Sequence, residues 1–236
     1  MTRTTVMNLK DIFEKLYKAY GPQHWWPAET PFEMMTGAIL TQNTAWSNVE
    51  KAILNFGGRL SPEFVLGIDT EELAQIIRPS GFFNQKAQRL KHLAEWFKIY
   101  DFDIDRIKSL DPESIRQELL SISGVGPETA DSIMLYAFDF PYFVVDAYTR
   151  RIFSRLGFEL PDGYEEIRSL FENSLERDAD LFGEYHALIV RLAKEHCKKV
   201  PDCSGCPLSD ICRYKLLTCE NKTIINDRVD KTALLV

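Results

Sequence analysis

Four cysteines near the C-terminal end, Cys197, Cys203, Cys206 and Cys212, follow one another as C-x5-C-x2-C-x5-C, which obliges the chain to wrap around a single point there. Thiolates grouped so tightly, with Pro207 directly after the third, can close around a tetrahedral metal ion or an iron–sulfur cube. A disulfide framework would spread its pairs along the chain, so the bunching indicates a metal site in a reducing compartment. The fifth cysteine, Cys219, stands apart and reads as a small semi-buried hydrophobe or an idle thiol.

Ahead of this clip, apolar residues recur at i, i+3 and i+4 from end to end, while period-2 alternation is almost absent. The expected fold class is therefore all-α. Helices are expected over 9–20, 31–40, 45–56, 61–68, 70–77, 85–100, 104–109, 112–121, 128–138, 147–156, 164–175 and 181–196. Ser61-Pro62 and Asp111-Pro112 each put a capping oxygen before a proline at the first helical position, and Asp69-Thr70 and Asn84-Gln85 offer further caps. The pattern suits a helical body over 30–138 and a second helical lobe made of 1–29 with 139–236, the latter carrying the cysteine site at 197–212.

A hydrophobic fraction of 45% in 236 residues is enough to bury a core. The net charge of −7 excludes a protein that coats nucleic acid by bulk electrostatics. Any such contact must use backbone amides or a local basic face, for which Lys86, Arg89 and Lys91, then Arg150, Arg151 and Arg155, then Lys194, Lys198 and Lys199 are candidates. No stretch of eighteen apolar residues occurs, and Met1–Asp11 lacks the layout of a secretion signal, so a soluble cytoplasmic protein without membrane contact is expected.

The most chemically suggestive segment inside the body is Ser123-Gly124-Val125-Gly126-Pro127, a tight turn between two helices. Its glycines let the backbone approach another molecule, and the second helix presents its positive end. Such an end holds a phosphate without reading sequence. Pro127 lacks a donor, which leaves the amides of Gly124, Val125, Gly126 and Glu128 as candidates. Further on, the apolar run Phe143-Val144-Val145 delivers Asp146 to the first turn of another helix. Asp146 can be a simple N-cap, or a carboxylate that stabilises a sugar cation and orients water as the bond between base and deoxyribose breaks.

The series Leu119-x-x-Ile122-x-Gly124-Val125-Gly126-x-x-Thr129-Ala130, then Val145-Asp146-x-x-x-x-Arg151, then the four cysteines resembles the helix-hairpin-helix DNA glycosylases of the endonuclease III type. The resemblance covers nearly the whole chain. It implies a two-lobed fold of that family, a hairpin that binds damaged double-stranded DNA, a catalytic Asp146 and a [4Fe–4S] cluster on Cys197, Cys203, Cys206 and Cys212. Two departures matter. Glu128 stands where lyase members carry a catalytic lysine, and a carboxylate cannot form a Schiff base, so base removal without β-elimination is expected. The first cysteine gap is x5 against the usual x6, which keeps zinc as a rival occupant.

His24-Trp25-Trp26-Pro27 and Thr41-Gln42-Asn43-Thr44-Ala45-Trp46 resemble segments of the 3-methyladenine DNA glycosylase branch, which implies that Trp25, Trp26, Pro27 and Trp46 line the base pocket. An alkylated purine is cationic, and indole faces attract it more than a neutral base by about 0.5–2 kcal/mol. Gln42 matches the glutamine that fills the gap left by a flipped base, and Phe82 sits where a second wedge is expected. His186 and His196 read as structural. The expected activity is monofunctional excision of alkylated purines in base excision repair by a monomer. An endonuclease III-like glycosylase/AP lyase for oxidised or mismatched pyrimidines is one alternative, and a non-catalytic DNA-binding or redox-sensing iron–sulfur module is another.

Overall fold

The computed structural model describes residues 8–217, so Cys219 lies outside the described residues. Among them regular structure is helical throughout: α1 (Leu9–Tyr20), α2 (Pro31–Leu40), α3 (Trp46–Leu54), α4 (Pro62–Gly67), α5 (Thr70–Ile76), a 3-10 turn (Arg78–Ser80), α6 (Phe83–Lys98), α7 (Ile104–Lys108), α8 (Pro112–Ser121), α9 (Pro127–Phe138), α10 (Ala147–Leu156), α11 (Tyr164–Ser174) and α12 (Ala179–Glu195). None of these helices is long and apolar enough to cross a membrane.

Several boundaries follow from the caps that the sequence carries. The Ser61 hydroxyl accepts from the Phe64 amide at 3.1 Å, and the Asp111 carboxylate accepts from the Ser114 amide at 2.9 Å. Each satisfies an orphan donor of a first turn that begins with proline. Asp69 precedes α5 without a side-chain cap bond. The cap expected at Asn84 is not one. The 3-10 turn ends at Gly81, and Phe82 takes a left-handed conformation, φ 48°, that starts α6 two residues before the expected Gln85.

The described chain divides into two compact units. One comprises His24–Val144 with Arg177–Gly183, and so takes in Trp25, Trp26 and Pro27. Its centre is α2, apolar on nearly every side (Phe32, Met34, Met35, Ile39, Leu40), as a helix enclosed by others must be. It packs against α9 and α6, with Phe32 stacked on Phe97 at 6.1 Å. The helices flanking the glycine turn are joined by a buried, bidentate ion pair: Arg116 Nε donates to Asp131 Oδ1 at 2.6 Å and Arg116 Nη2 to Asp131 Oδ2 at 3.3 Å. Stranding either charge would cost about 3–5 kcal/mol, so the pair fixes how α8 leads into α9.

The other unit comprises 8–23, Val145–Glu176 and 184–217 among the described residues. Its core is aromatic. Phe153 of α10 meets Phe171 of α11 edge-on at 4.9 Å, and both meet Tyr185 of α12, at 6.3 and 6.1 Å. The Tyr185 hydroxyl donates to Leu9 O at 2.8 Å, which attaches α1 to the same core. Burial pushes the Tyr185 phenol well above its ordinary pKa.

Candidate active site

The glycine turn is built by two residues of different character. Gly124 has φ +87°, a region that L side chains rarely adopt, whereas Gly126 is extended at φ −94° and caps α9. Gly124, Gly126 and Glu128 are exposed, but the Val125 side chain is buried in the core. The Val125 amide donates to Ile122 O at 3.0 Å, closing the turn, so it is removed from the expected set of phosphate-binding donors. The first turn of α9, entered through Gly126 and Pro127, retains the positive end of a twelve-residue helix.

Gln42 docks on this turn. Its Nε2 donates to Gly124 O at 3.0 Å and to Thr129 Oγ1 at 2.9 Å, and its Oε1 accepts from Arg89 Nη1. The Arg89 side chain lies so close to Gly124 that an added Cβ would meet its Nε at 2.2 Å. Phe82 is 63% exposed in its left-handed turn, a combination that costs stability and that packing does not repay.

The basic stripe expected from Lys86, Arg89 and Lys91 is not a surface patch. Lys86 is 1% exposed and donates to Leu40 O at 2.9 Å and to Ser80 O at 2.7 Å. It thereby ties the segment leading into Gln42 to the segment leading into Phe82. Burial, followed by the nearby Arg89 charge, lowers the Lys86 pKa to about 8. Lys91 donates to Leu66 O at 3.1 Å and to Ile68 O. These are helix-end carbonyls, and a lysine offers them three donors without a partner charge.

Trp25, Trp26 and Trp46 gather in the same unit and are half-buried rather than sealed. Trp26 stands edge-on to Trp46 at 5.1 Å and to Trp25 at 5.6 Å, and Trp25 lies 6.0 Å from Trp46. Pro27 is exposed beside them. Gly37 of α2 makes room for Trp26, since a Cβ there would meet the indole Nε1 at 3.3 Å. Trp46 Nε1 donates to Glu50 Oε1 at 2.9 Å. Tyr136 of α9, which sequence reasoning missed, lies 5.3 Å from Trp26 and joins the same aromatic group. It lies three residues after Ile133 on α9, which reads in sequence as core spacing, and no motif marks it out.

Asp146 belongs to the other unit and is the N-cap of α10. Its Oδ1 accepts from the Thr149 amide at 2.7 Å and from the Thr149 hydroxyl at 2.9 Å. Its Oδ2 faces His186 Nε2 of α12 at 3.6 Å. Burial opposes the charged form, but His186 and the two Thr149 bonds outweigh it, so the carboxyl is held below the usual carboxylate range. His186, expected to be merely structural, is therefore in contact with the candidate catalytic group. His196 Nδ1 lies 3.1 Å from Asp202 O, within the loop that bears the cysteines.

Cys197, Cys203, Cys206 and Cys212 line one solvent-open cavity and are not paired as disulfides. Burial, the larger cause, and the charge of the neighbouring cysteines push the Cys203 and Cys206 thiols up. The second expected basic patch serves this loop. Arg155 Nη1 donates to Cys197 Sγ at 3.2 Å and to Lys198 O at 2.7 Å, and Arg151 Nε donates to Cys197 O at 2.8 Å. Among the described residues no three His, Cys, Asp or Glu side chains stand close enough to hold a single metal ion.

A family model for HhH-GPD superfamily base excision DNA repair proteins matches residues 36–177. The chain is 46% identical over 217 residues to a provisionally named DNA repair glycosylase of Methanocaldococcus jannaschii, covering 88% of this chain and 99% of that protein. It is 30% identical to endonuclease III of Sulfolobus acidocaldarius, covering 80% and 85% of the two chains. Among solved structures it matches the 3-methyladenine DNA glycosylase of Helicobacter pylori bound to 1,N6-ethenoadenine, with a TM-score of 0.70, 30% identity and coverage of 80% and 98%. An endonuclease III–DNA complex matches with a TM-score of 0.76, 24% identity and coverage of 89% and 96%, a likeness of fold.

Proposed function

This chain belongs to the HhH-GPD superfamily of base excision DNA repair proteins and is a DNA glycosylase, and on that premise we propose that it is a monofunctional enzyme releasing alkylated, cationic purines from duplex DNA. The observation that carries the substrate class is the group of half-buried aromatics in which Trp26 stands edge-on to Trp25 and Trp46 and tilted against Tyr136. Such rings offer electron-rich faces to a flipped base, and a positively charged base gains most from them. The 30% identity to the Helicobacter pylori 3-methyladenine glycosylase agrees with this reading.

Asp146 supplies the chemistry. Its carboxyl is held below the usual carboxylate range, because His186 and the two Thr149 bonds outweigh the penalty of burial. An anion facing the deoxyribose stabilises the oxocarbenium character that develops as the N-glycosidic bond breaks. A cationic purine is a good leaving group, so one carboxylate suffices. Glu128 has no amine with which to attack the sugar, so the strand stays intact. On the DNA side, the Gly124, Gly126 and Glu128 amides bind phosphate, while Gln42 and Phe82 occupy the gap that the flipped base leaves.

The four cysteines suit a [4Fe–4S] cluster, since soft thiolates are its usual donors. Cys197, Cys203, Cys206 and Cys212 would hold it, and it would fix the loop that Arg151 and Arg155 clasp; glycosidic cleavage transfers no electrons. A second reading, excision of oxidised or mismatched pyrimidines, is favoured by the 30% identity to endonuclease III of Sulfolobus acidocaldarius.

Asp146→Asn tests the mechanism. The variant should lose excision while keeping its affinity for a duplex with an abasic-site analogue, and an unchanged excision rate would remove Asp146 from the reaction.

A further inference from the structure

A helix N-cap needs one oxygen, and Asp146 spends only Oδ1 on that task. The other oxygen, Oδ2, points at His186 Nε2, 3.6 Å away, with both side chains mostly withdrawn from solvent (12% and 7% exposed). The comparison with Asp111 is informative. That residue caps α8 through the Ser114 amide and hydroxyl, is exposed, and meets no imidazole. Capping alone therefore does not call for the histidine, which arrives from α12, far along the chain. A buried carboxylate oxygen without a compensating partner would favour its protonated form.

We infer that His186 is a positioning residue for Asp146: it holds Oδ2 in one orientation and keeps the carboxylate charged while the sugar cation develops. This inference rests on Asp146 being the catalytic carboxylate. The 3.6 Å separation is longer than a hydrogen bond, and catalytic contacts are often long before substrate binds and tighten with it. Thr149 approaches Oδ1 from the same helix, His186 approaches Oδ2 from α12, and Tyr164 of α11 accepts from the Val145 amide at 3.4 Å with its hydroxyl. Of these, His186 is the one that meets Oδ2. The lowered Asp146 pKa, set by His186 and Thr149 against burial, agrees with this geometry.

The test is the pH dependence of single-turnover excision from an alkylated duplex, for the parent, His186→Leu and His186→Gln. Leucine removes the partner of Oδ2, so the carboxyl should protonate at higher pH and the acidic limb of the profile should move up by about one pH unit or more. Glutamine keeps a donor and should hold the limb near its parental position. Affinity for an abasic-site duplex should be the same in all three. An acidic limb in His186→Leu that coincides with the parent's, or a rate reduced by one factor at every pH, would overturn the inference. If His186→Leu does not fold, His186→Asn, whose amide is too short to reach, is read by the same two criteria. Excision lost in Asp146→Asn but an unmoved limb in the His186 variants refutes the positioning role alone; excision surviving in Asp146→Asn refutes the catalytic reading beneath it.

Discussion

The two hairpin glycines should fail in different ways when each is replaced by alanine. At Gly124 the backbone has φ +87°, and a side chain in the left-handed region costs about 1–2 kcal/mol. The new Cβ would also stand 2.2 Å from Arg89 Nε and 2.6 Å from its Cδ, so the arginine must swing away and release the Gln42 carboxamide. A lost charged hydrogen bond adds about 1.5 kcal/mol. Gly124→Ala should therefore lose about 3 kcal/mol, which for a chain of this size lowers Tm by roughly 6–12 °C. At Gly126 the backbone is ordinary, φ −94°, and no atom lies within 4 Å of an added Cβ. Gly126→Ala should melt within about 2 °C of the parent. Its methyl group, however, occupies the space through which phosphate reaches the first turn of α9. Affinity for an abasic-site duplex should fall about five- to tenfold, near 1 kcal/mol. Differential scanning calorimetry and a fluorescence-anisotropy titration read the two effects. Equal melting temperatures for the two variants, or parental affinity in Gly126→Ala, would show that the hairpin geometry does not act as described.

Phe82→Ala should leave Tm unchanged, since the ring is 63% exposed, yet weaken binding to the abasic-site duplex by about 1–3 kcal/mol through lost stacking; equal affinity would exclude the wedge role. Lys86 has a folded pKa of about 8 against an ordinary 10.5, so the unfolded chain binds more protons between those values and stability rises with pH across that window. Lys86→Met should lack this rise in urea midpoints measured at pH 7.5 and pH 10, and a parallel pH dependence in both proteins would contradict the burial of a charged Lys86. The purified protein should be brown, with broad visible absorption that acid or chelation bleaches; a colourless, zinc-loaded preparation would contradict the cluster.

Much of the architecture is legible in sequence because it is local. Thr30-Pro31, Ser61-Pro62 and Asp111-Pro112 each combine a capping side chain with a pre-set first turn, and all three start helices. The Trp25-Trp26 and Trp46 segments stand out in sequence, and the structure brings their rings within 6.0 Å of one another. What stays hidden depends on distant residues. Lys86, Arg89 and Lys91 read as a candidate basic face, yet Lys86 and Lys91 turn inward to helix-end carbonyls that no local pattern reveals. The start of α6 at Phe83 depends on a left-handed Phe82, a conformation that the side chain itself disfavours. The approach of His186 to Asp146 joins α12 to α10 through the aromatic core of their unit, and nothing around either residue in sequence announces the other.

The central claim is that one carboxylate releases a cationic purine and leaves the strand whole. It is tested most directly by a single-turnover panel of duplexes bearing 3-methyladenine, 7-methylguanine, an oxidised pyrimidine or a G·T mismatch, each analysed before and after alkali. The account predicts release of methylated purines with strand breaks only after alkali. Breaks formed without alkali, or excision confined to the oxidised pyrimidine or the mismatched thymine, would contradict it.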